Sequence, residues 1–362
     1  MKMIRPRFCC LLALSLAAGP APADEVGSIA LLLPLHGHMA AVGTVVRDGF
    51  LAAYYQDIQQ GQPSPIVRIY DNGDAVGASL VQTAAADGAD AVVGPLNKDQ
   101  VAALAAAGSQ PLPVLALNRG DGSAANLYQF ALAPEEELAA LIKAMQAQNV
   151  LRVRVLMAHD PASEHNRQQF ETSWQAAGGI VVPAYVVDPT QKGGVVSGIR
   201  KLMNDPASAQ LDALFLASPA LSTQVHPTMA YYHTAQLPFY TLASAYDAGA
   251  TDIIHQDQNG MRFCDLPWIV QGGWPGQSGL YGSGGRTPSN YDRLYGFGGD
   301  AYTLIKAVYR KPDQLDLAGR SGHLTLGDGG RIQRQPSCVE LTDGHPQVLA
   351  APGGVATPAP GT

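Results

Sequence analysis

The stretch IALLLPLHGHMAAVGTVVRDGF, residues 29–50, decides the fold. It opens with an unbroken apolar run, Ile29 to Leu33, that stops at Pro34, and apolar residues then recur at helical spacing from Val42 to Phe50. A strand without polar alternation must be covered on both faces, as parallel strands are in doubly wound α/β domains. The stretch therefore predicts a buried strand, a turn at the ligand crevice beyond its carboxyl end, and a crossover helix.

The same succession of a short apolar strand and an amphipathic helix recurs along the chain. Four such steps lie between residues 29 and 117, and four more lie between residues 152 and 242. Two sets of similar length predict a two-lobed α/β protein in which each lobe has a doubly wound, mainly parallel sheet. The predicted division is residues 28–130 plus about 245–312 in lobe 1, and residues 131–244 plus about 320–348 in lobe 2.

The two ends of the chain differ from this pattern. Three basic residues precede the apolar segment 8–18, and Ala21, Pro22 and Ala23 supply the small-residue pattern of a cleavage site. Because a membrane-spanning helix needs about 20 apolar residues, we predict that residues 1–23 are a signal peptide for export to the periplasm. Residues 349–362 are mainly Pro, Gly, Ala and Thr, and we predict a disordered tail there.

The charge balance restricts the partners. The chain has 23 basic and 30 acidic residues, a net charge of −7, and loss of the three basic residues of the signal peptide makes the mature chain more acidic still. An acidic protein is a poor ligand for nucleic acid or for an anionic lipid surface. We therefore expect no nucleic-acid partner.

The cysteines allow one disulfide bond in the mature chain. Cys9 and Cys10 lie in the predicted signal peptide, which leaves Cys264 and Cys338. In an oxidising compartment these two can pair, and the alternative is two buried free thiols.

Five segments of the chain together resemble one known family. They are ALLLPLHGHMAAVGTVVRDGFLAAYY, AVVGPLNKDQV, PVLALN, RLYGFGGDAYTLI and LTLGDGGRIQRQPSCVELTDG. These segments are similar to the C-terminal domain of penicillin-binding protein activators, a family with a type I periplasmic binding-protein fold, and the resemblance covers about residues 28–348. It implies a periplasmic regulator, in the manner of outer-membrane lipoproteins of Gram-negative bacteria that stimulate a class A penicillin-binding protein, which is a peptidoglycan synthase.

The chain departs from the family pattern near its start. Lipid-anchored members need a cysteine just after the apolar segment, whereas Cys9 and Cys10 stand at its beginning. The better-studied members also have a helical-repeat domain before this one, and here the globular part starts within a few residues of the predicted cleavage site. We therefore expect a soluble periplasmic protein, with outer-membrane association as the alternative.

Residues that follow the strands are the candidates for contacts in the interlobe crevice. Amino-acid-binding relatives usually have serine and threonine in the loop 94–97, and Pro95 and Leu96 here weaken the case for an amino-acid ligand. Polar residues at strand ends also serve as turn formers and helix caps. The candidates are Leu35, His36, Gly37, Asp71, Gly94, Pro95, Leu96, Asn97, Asn118 and Asp160.

No motif indicates an enzyme, a metal site or a cofactor. His36 and His38 are two residues apart, a spacing that chelates poorly without further ligands. The sequence has no Gly-x-Ser-x-Gly elbow, P-loop or His-Glu-x-x-His motif. The first hypothesis is a non-enzymatic regulator that acts on a peptidoglycan synthase by protein contact. The second is a solute-binding protein for an amino-acid-like or other small polar ligand, and a hydrolase is third.

Overall fold

The computed structural model describes residues 25–73, 77–232, 237–271, 291–310 and 314–349. The predicted signal peptide with Cys9 and Cys10 lies outside these residues, and so does the predicted disordered tail apart from Leu349.

The elements alternate between strand and helix through most of the chain, as predicted. The strands are β1 (Ser28–Leu33), β2 (Ile66–Asp71), β3 (Ala91–Val93), β4 (Val114–Ala116), β5 (Leu127–Gln129), β6 (Arg152–Ala158), β7 (Ile180–Val187), β8 (Ala213–Leu216), β9 (Phe239–Thr241), β10 (Met261–Asp265), β11 (Asp316–Gly319), β12 (Gly322–Leu326), β13 (Ile332–Gln335), β14 (Ser337–Thr342) and β15 (His345–Val348). The helices are α1 (Ala40–Gln59), α2 (Gly77–Ala86), α3 (Lys98–Ala106), α4 (Pro134–Ala147), α5 (Pro161–Ala176), α6 (Gly194–Asn204), α7 (Ser222–Tyr231), α8 (Asp252–Asp257), α9 (Pro267–Val270) and α10 (Tyr291–Tyr309).

The first sheet has five parallel strands in the order β2-β1-β3-β4-β5. Strand β1 is fully buried, and its side chains go alternately to two cores: Ile29 and Leu31 pack with α1 and α10, whereas Ala30 packs with α2 and α3. This explains why the strand is apolar throughout. The strand order reverses between β1 and β3, so the crevice of this lobe lies beyond their carboxyl ends.

The second sheet has seven strands in the order β15-β14-β10-β9-β8-β6-β7. Strands β6 to β10 are parallel, and β14 and β15 are antiparallel additions at one edge. Its two faces are covered by α4 with α5 on one side and by α6 with α7 on the other. The predicted fold class, two lobes with doubly wound and mainly parallel sheets, is confirmed.

The division of the chain between the lobes differs from the prediction at two places. Strand β10 lies within the range predicted for lobe 1, yet it pairs with β9 in the second sheet, where Phe263 is fully buried. Strands β12 and β13 lie within the range predicted for lobe 2, yet Leu324 and Ile332 pack in the core of the first sheet. A strand of five residues carries too little periodicity to reveal which sheet it joins.

A buried carboxylate holds the small sheet β11-β12-β13 against lobe 1. Asp300 of α10 is 1% exposed and accepts hydrogen bonds from the backbone N–H of Arg320 at 2.7 Å and of Ser321 at 2.6 Å. The Ser321 hydroxyl donates a third bond to it at 2.6 Å. The turn between β11 and β12 is therefore fixed to the helix that packs beneath β1.

The structure contains a disulfide bond between Cys264 of β10 and Cys338 of β14. The two residues stand directly opposite each other on neighbouring antiparallel strands. The bond therefore joins the parallel part of the second sheet to a hairpin that is 74 residues later in the chain.

Helices α1 and α10 touch at backbone distance because each has a glycine where the other approaches. A Cβ atom on Gly49 would lie 2.0 Å from the carbonyl oxygen of Tyr295, and one on Gly298 would lie 2.2 Å from that of Val46. Backbone atoms cannot move aside as side chains can, so any larger residue must push the helices apart.

We expect Gly298→Ala to lower the free energy of unfolding by about 2 kcal/mol or more, despite the higher helix propensity of alanine. Gly296→Ala on the same helix is the matched control, since the atoms nearest to its added Cβ belong to the side chain of Trp268, at 3.1 Å and beyond, and not to backbone. Urea denaturation followed by circular dichroism measures both. Equal losses in the two variants would contradict the backbone contact.

Candidate functional site

Asp71 stands at the end of β2, and its carboxylate is already bonded within the protein. The backbone N–H groups of Leu35 and Gly73 each donate to Asp71 Oδ1 at 3.0 Å, and His36 Nδ1 pairs with Oδ2. The predicted residues Leu35, His36 and Asp71 are thus brought together. Their mutual hydrogen bonds fix the turn after β1 and occupy the carboxylate that a ligand would need.

The loop after β3 is also bonded internally. Gly94 has φ +107°, and a Cβ there would lie 2.0 Å from the carbonyl oxygen of Leu32, so only glycine fits. Asn97 caps α3, with Oδ1 accepting from the backbone N–H of Asp99 at 2.8 Å. Asn118 Nδ2 donates to the carbonyl oxygen of Leu96 at 2.9 Å. Both asparagines therefore have structural partners.

The last predicted residue, Asp160, lies in the second lobe and caps α5. Its carboxylate accepts from the backbone N–H of Ser163 at 2.9 Å and from the Ser163 hydroxyl at 2.6 Å. These bonds lower the pKa of Asp160 below its usual value. Asp160 is therefore a helix cap, which is the other role that polar residues at strand ends can have.

A cavity of about 590 Å³ lies beyond the ends of β3, β4 and β5, between the first lobe and the start of α4. Its volume is in the range of small-molecule sites. Of the ten candidate residues, all of them described, only Leu96 and Asn118 line it. Its walls are mainly apolar, formed by Met39, Val42, Leu96, Leu117, Ala131, Leu132, Ala133, Pro134, Leu294 and Phe297, with polar groups from Lys98, Asn118, Arg119, Glu135 and Arg331.

Among the residues that the structure describes, two groups of charged side chains connect the lobes, and neither was found from the sequence. In the first, Glu136 of α4 lies between two arginines: Arg119 Nη2 donates to Glu136 Oε1, and Arg334 Nε is 3.5 Å from Oε2. Arg119 follows β4, and Arg334 belongs to β13. Glu136 thus attaches the first helix of lobe 2 to two elements that pack in lobe 1.

The second group centres on Arg293, at the start of α10. Its Nε and Nη2 atoms donate to the carboxylate of Asp265 at 3.0 and 2.5 Å, and Nη2 also donates to the carbonyl oxygens of Ala243 and Tyr246 at 3.0 and 3.1 Å. The Asp265 side chain is 1% exposed. One arginine from the lobe 1 helix therefore joins the ends of β9 and β10 in lobe 2.

A second cavity, of about 320 Å³, lies beside these groups at the ends of β9 and β10. It shares Leu132, Ala133 and Pro134, which connect the lobes, with the larger cavity. Glu137, Asp265, Arg293 and Arg334 supply its charged wall. In the sequence, Glu135 to Glu137 after Pro134 indicate only the first turn of a helix, because nothing local indicates partners more than a hundred residues away.

Glu137 is the group in this wall whose pKa is strongly shifted. Burial raises the pKa of Glu137 to about 7, and the charge of Asp265 adds to the rise, although the Ala243 N–H that it accepts at 2.6 Å, Arg293 and Arg334 oppose it. The folded protein therefore binds a proton that the unfolded chain releases near pH 4.5. Stability falls as pH rises between these two values.

Above pH 7, we expect Glu137→Gln to have a free energy of unfolding on the order of 2 kcal/mol higher than that of the wild type. Near pH 5 the two free energies should match. Glutamine keeps the acceptor for the Ala243 N–H but carries no charge. Glu135→Gln, an exposed residue of the same turn, is the control and should show no such pH dependence. Denaturation from pH 5 to 8 tests this, and a Glu137→Gln variant weaker than wild type at pH 8 would contradict it.

Within the described ranges, no group of three His, Cys, Asp or Glu side chains is placed to hold a metal ion. None of the helices among the described residues combines the length and the apolar character that crossing a bilayer requires.

Comparison with known proteins gives a family match over most of the chain. The family model described as "LppC putative lipoprotein" matches residues 22–344. Among curated proteins, the penicillin-binding protein activator LpoA of Edwardsiella piscicida is 27% identical over 326 residues, which cover 79% of this chain and 46% of that protein. The chain spans about half the length of the curated relatives it matches.

Solved structures have the same fold. The LpoA C-domain from Haemophilus influenzae, described as a regulator of PBP1A, has a TM-score of 0.67 at 23% identity, covering 90% of this chain and all of that one. A putative branched-chain amino acid ABC transporter protein from Chromobacterium violaceum has a TM-score of 0.68 at 26% identity, covering 87% and 99%. The fold is that of type I periplasmic binding proteins.

Proposed function

Because this chain belongs to the LppC putative lipoprotein family, we propose that it is a periplasmic regulator that activates a class A penicillin-binding protein by protein contact. The family match and the relatives named as activators carry this proposal. The curated relatives are longer than this chain and share only this domain with it. The proposal therefore includes that this domain itself contributes to activation of the synthase.

The interlobe region supports a role that does not depend on capturing a polar solute. The polar atoms of Asp71, Asn97 and Asn118 are bonded to the protein itself, and the larger cavity is mainly apolar. Ion pairs from Glu136 and Arg293 connect the lobes, so hinge opening would have to separate buried charges. A rigid two-lobed body presents a fixed outer surface to a partner.

The direct test uses the purified protein and the class A penicillin-binding protein of the same organism. We expect the pair to associate in surface plasmon resonance and the synthase to polymerise or cross-link glycan faster when the regulator is present. A solute-binding protein of the same fold serves as the control. No association and an unchanged synthase rate would refute the proposal.

We further propose that the protein has no catalytic activity of its own. Incubated alone with isolated peptidoglycan, it should release no soluble fragments over a time in which an added hydrolase digests the sample. Mass spectrometry would identify any fragments that are released. Fragments whose release persists at constant specific activity through further purification of the protein would contradict the proposal.

The second candidate is a solute-binding protein, and the volume of the larger cavity is the observation that favours it. A ligand at a hundred times its Kd would add about 2.7 kcal/mol of stability. A thermal-shift screen with amino acids and muropeptide fragments separates the two candidates. We expect no large stabilisation, and a strong response to one compound would favour the second.

We propose a periplasmic location, with outer-membrane association as the alternative; the family description, a putative lipoprotein, favours some attachment through a lipid. Osmotic-shock release would recover a soluble form, whereas sedimentation with the outer membrane would indicate an anchor. Mass spectrometry of the amino terminus would then identify any lipid on a cysteine.

A further inference from the structure

A polar groove of about 490 Å³ lies between α4 and the small sheet β11-β12-β13. The register of β12 and β13 places His323 opposite Gln335 and Thr325 opposite Gln333, so these four side chains share one face and line the groove. The groove differs in character from the interlobe cavity, whose walls are mainly apolar. Its side chains offer hydrogen bonds along its whole length.

The groove carries a positive charge in an acidic protein. Arg119, Lys143, Arg331 and Arg334 line it, against two carboxylates, Glu136 and Asp328. The chain as a whole has a net charge of −7. A cluster of cations that runs against the overall charge marks a place where an anion is attracted.

The carboxylates do not neutralise all of these cations. Glu136 pairs with Arg119 and Arg334, the two deeper arginines. Among the described residues, no carboxylate lies within ion-pair distance of Lys143 or of Arg331, and both side chains are exposed at the rim. Two cations therefore face the groove with their charge available.

The floor of the groove is short of hydrogen-bond partners. Arg334 is only 7% exposed, and neither its Nε nor that of Arg119 makes a hydrogen bond to the described residues, although Arg334 Nε is 3.5 Å from Glu136 Oε2. Burial also lowers the pKa of Arg334. A negative charge held above these two guanidinium groups would stabilise them.

We propose that this groove binds a small oxyanion, a molecule that bears carboxylate or phosphate groups. Lys143 and Arg331 contact its charged groups from opposite sides, from α4 and from the start of β13. Thr325, Gln333 and Gln335 hydrogen-bond to its polar atoms, and the arginines of the floor add a field of the same sign. The site is independent of whether the protein regulates a synthase.

Isothermal titration calorimetry of the full chain tests the proposal, with citrate and pyrophosphate titrated in separate experiments. We expect binding that weakens as sodium chloride is raised, because the contacts are charged. The double variant Lys143→Gln/Arg331→Gln should weaken it by at least about tenfold, since two charge-assisted hydrogen bonds are lost. Both residues are exposed, so the variant should keep its fold.

The matched control is Lys192→Gln/Lys201→Gln, which removes the same charge from exposed positions on lobe 2. It should change the affinity by less than about twofold. If only citrate binds, the ligand of the groove bears carboxylate groups, and if only pyrophosphate binds, it bears phosphate groups. Either result supports the proposed site, and so does binding of both anions. Absence of binding by both anions, or equal weakening in the two double variants, would overturn it.

Discussion

Replacing Arg293 with methionine is expected to lower the free energy of unfolding by about 3–5 kcal/mol, because it leaves the charge of Asp265 buried without a partner. The Asp265 side chain is 1% exposed, and the arginine also satisfies the carbonyl oxygens of Ala243 and Tyr246. Methionine fills a similar volume, so the loss reports the charge and the hydrogen bonds more than packing.

Urea denaturation of Arg293→Met and Arg47→Met makes the comparison. Arg47 pairs with Asp48 at the surface, where both side chains are at least 31% exposed, and its removal should cost less than about 1 kcal/mol. The double variant Arg293→Met/Asp265→Leu should recover part of the stability, since it removes the unpaired charge. If Arg293→Met lost no more than Arg47→Met, the buried link between the lobes would have no energetic weight.

Removing the disulfide bond should produce a loss of similar size. Cys264 and Cys338 are 74 residues apart, and a loop of that length corresponds to about 4 kcal/mol in the chain-entropy model. We expect the free energy of unfolding of Cys264→Ala/Cys338→Ala to be lower by about this amount. Some further loss should come from the smaller side chain at position 264, because Cys264 is fully buried. Urea denaturation under oxidising conditions measures it.

The wild type in reducing agent is the internal comparison for this prediction. Once a thiol count shows that the disulfide bond is reduced, the free energy of unfolding of the wild type should approach that of the double alanine variant. The variant itself should not respond to the reductant. A reduced wild type as stable as the oxidised protein would mean that the bond contributes nothing to folding.

Much of the fold follows from local patterns. The apolar run Ile29 to Leu33 predicts a strand covered on both faces, and the structure buries it between two separate cores. Pro134 and the three acids after it predict a helix start, and α4 begins there. Such patterns suffice because the side chains of a strand or helix repeat every two or 3.6 residues whatever the rest of the chain does.

The sequence determined less about the site. It placed the candidate residues at strand ends, but it gave no means to tell a ligand contact from a cap. Asn97 and Asp160 became caps because the free N–H groups at the start of each following helix are the nearest donors. That outcome depends on local geometry that one sequence does not distinguish from a binding loop.

By itself, then, the sequence determined the kind and order of most elements, the two-lobed class and the family resemblance. Only the tertiary structure decided which lobe receives β10 and the small sheet, and which charges meet across the connection. Arg334 reaches Glu136 from 198 residues away, and Arg293 reaches Asp265 from a different lobe. Periodicity is a property of neighbouring residues, whereas these contacts depend on how several crossings of the chain bring distant segments together.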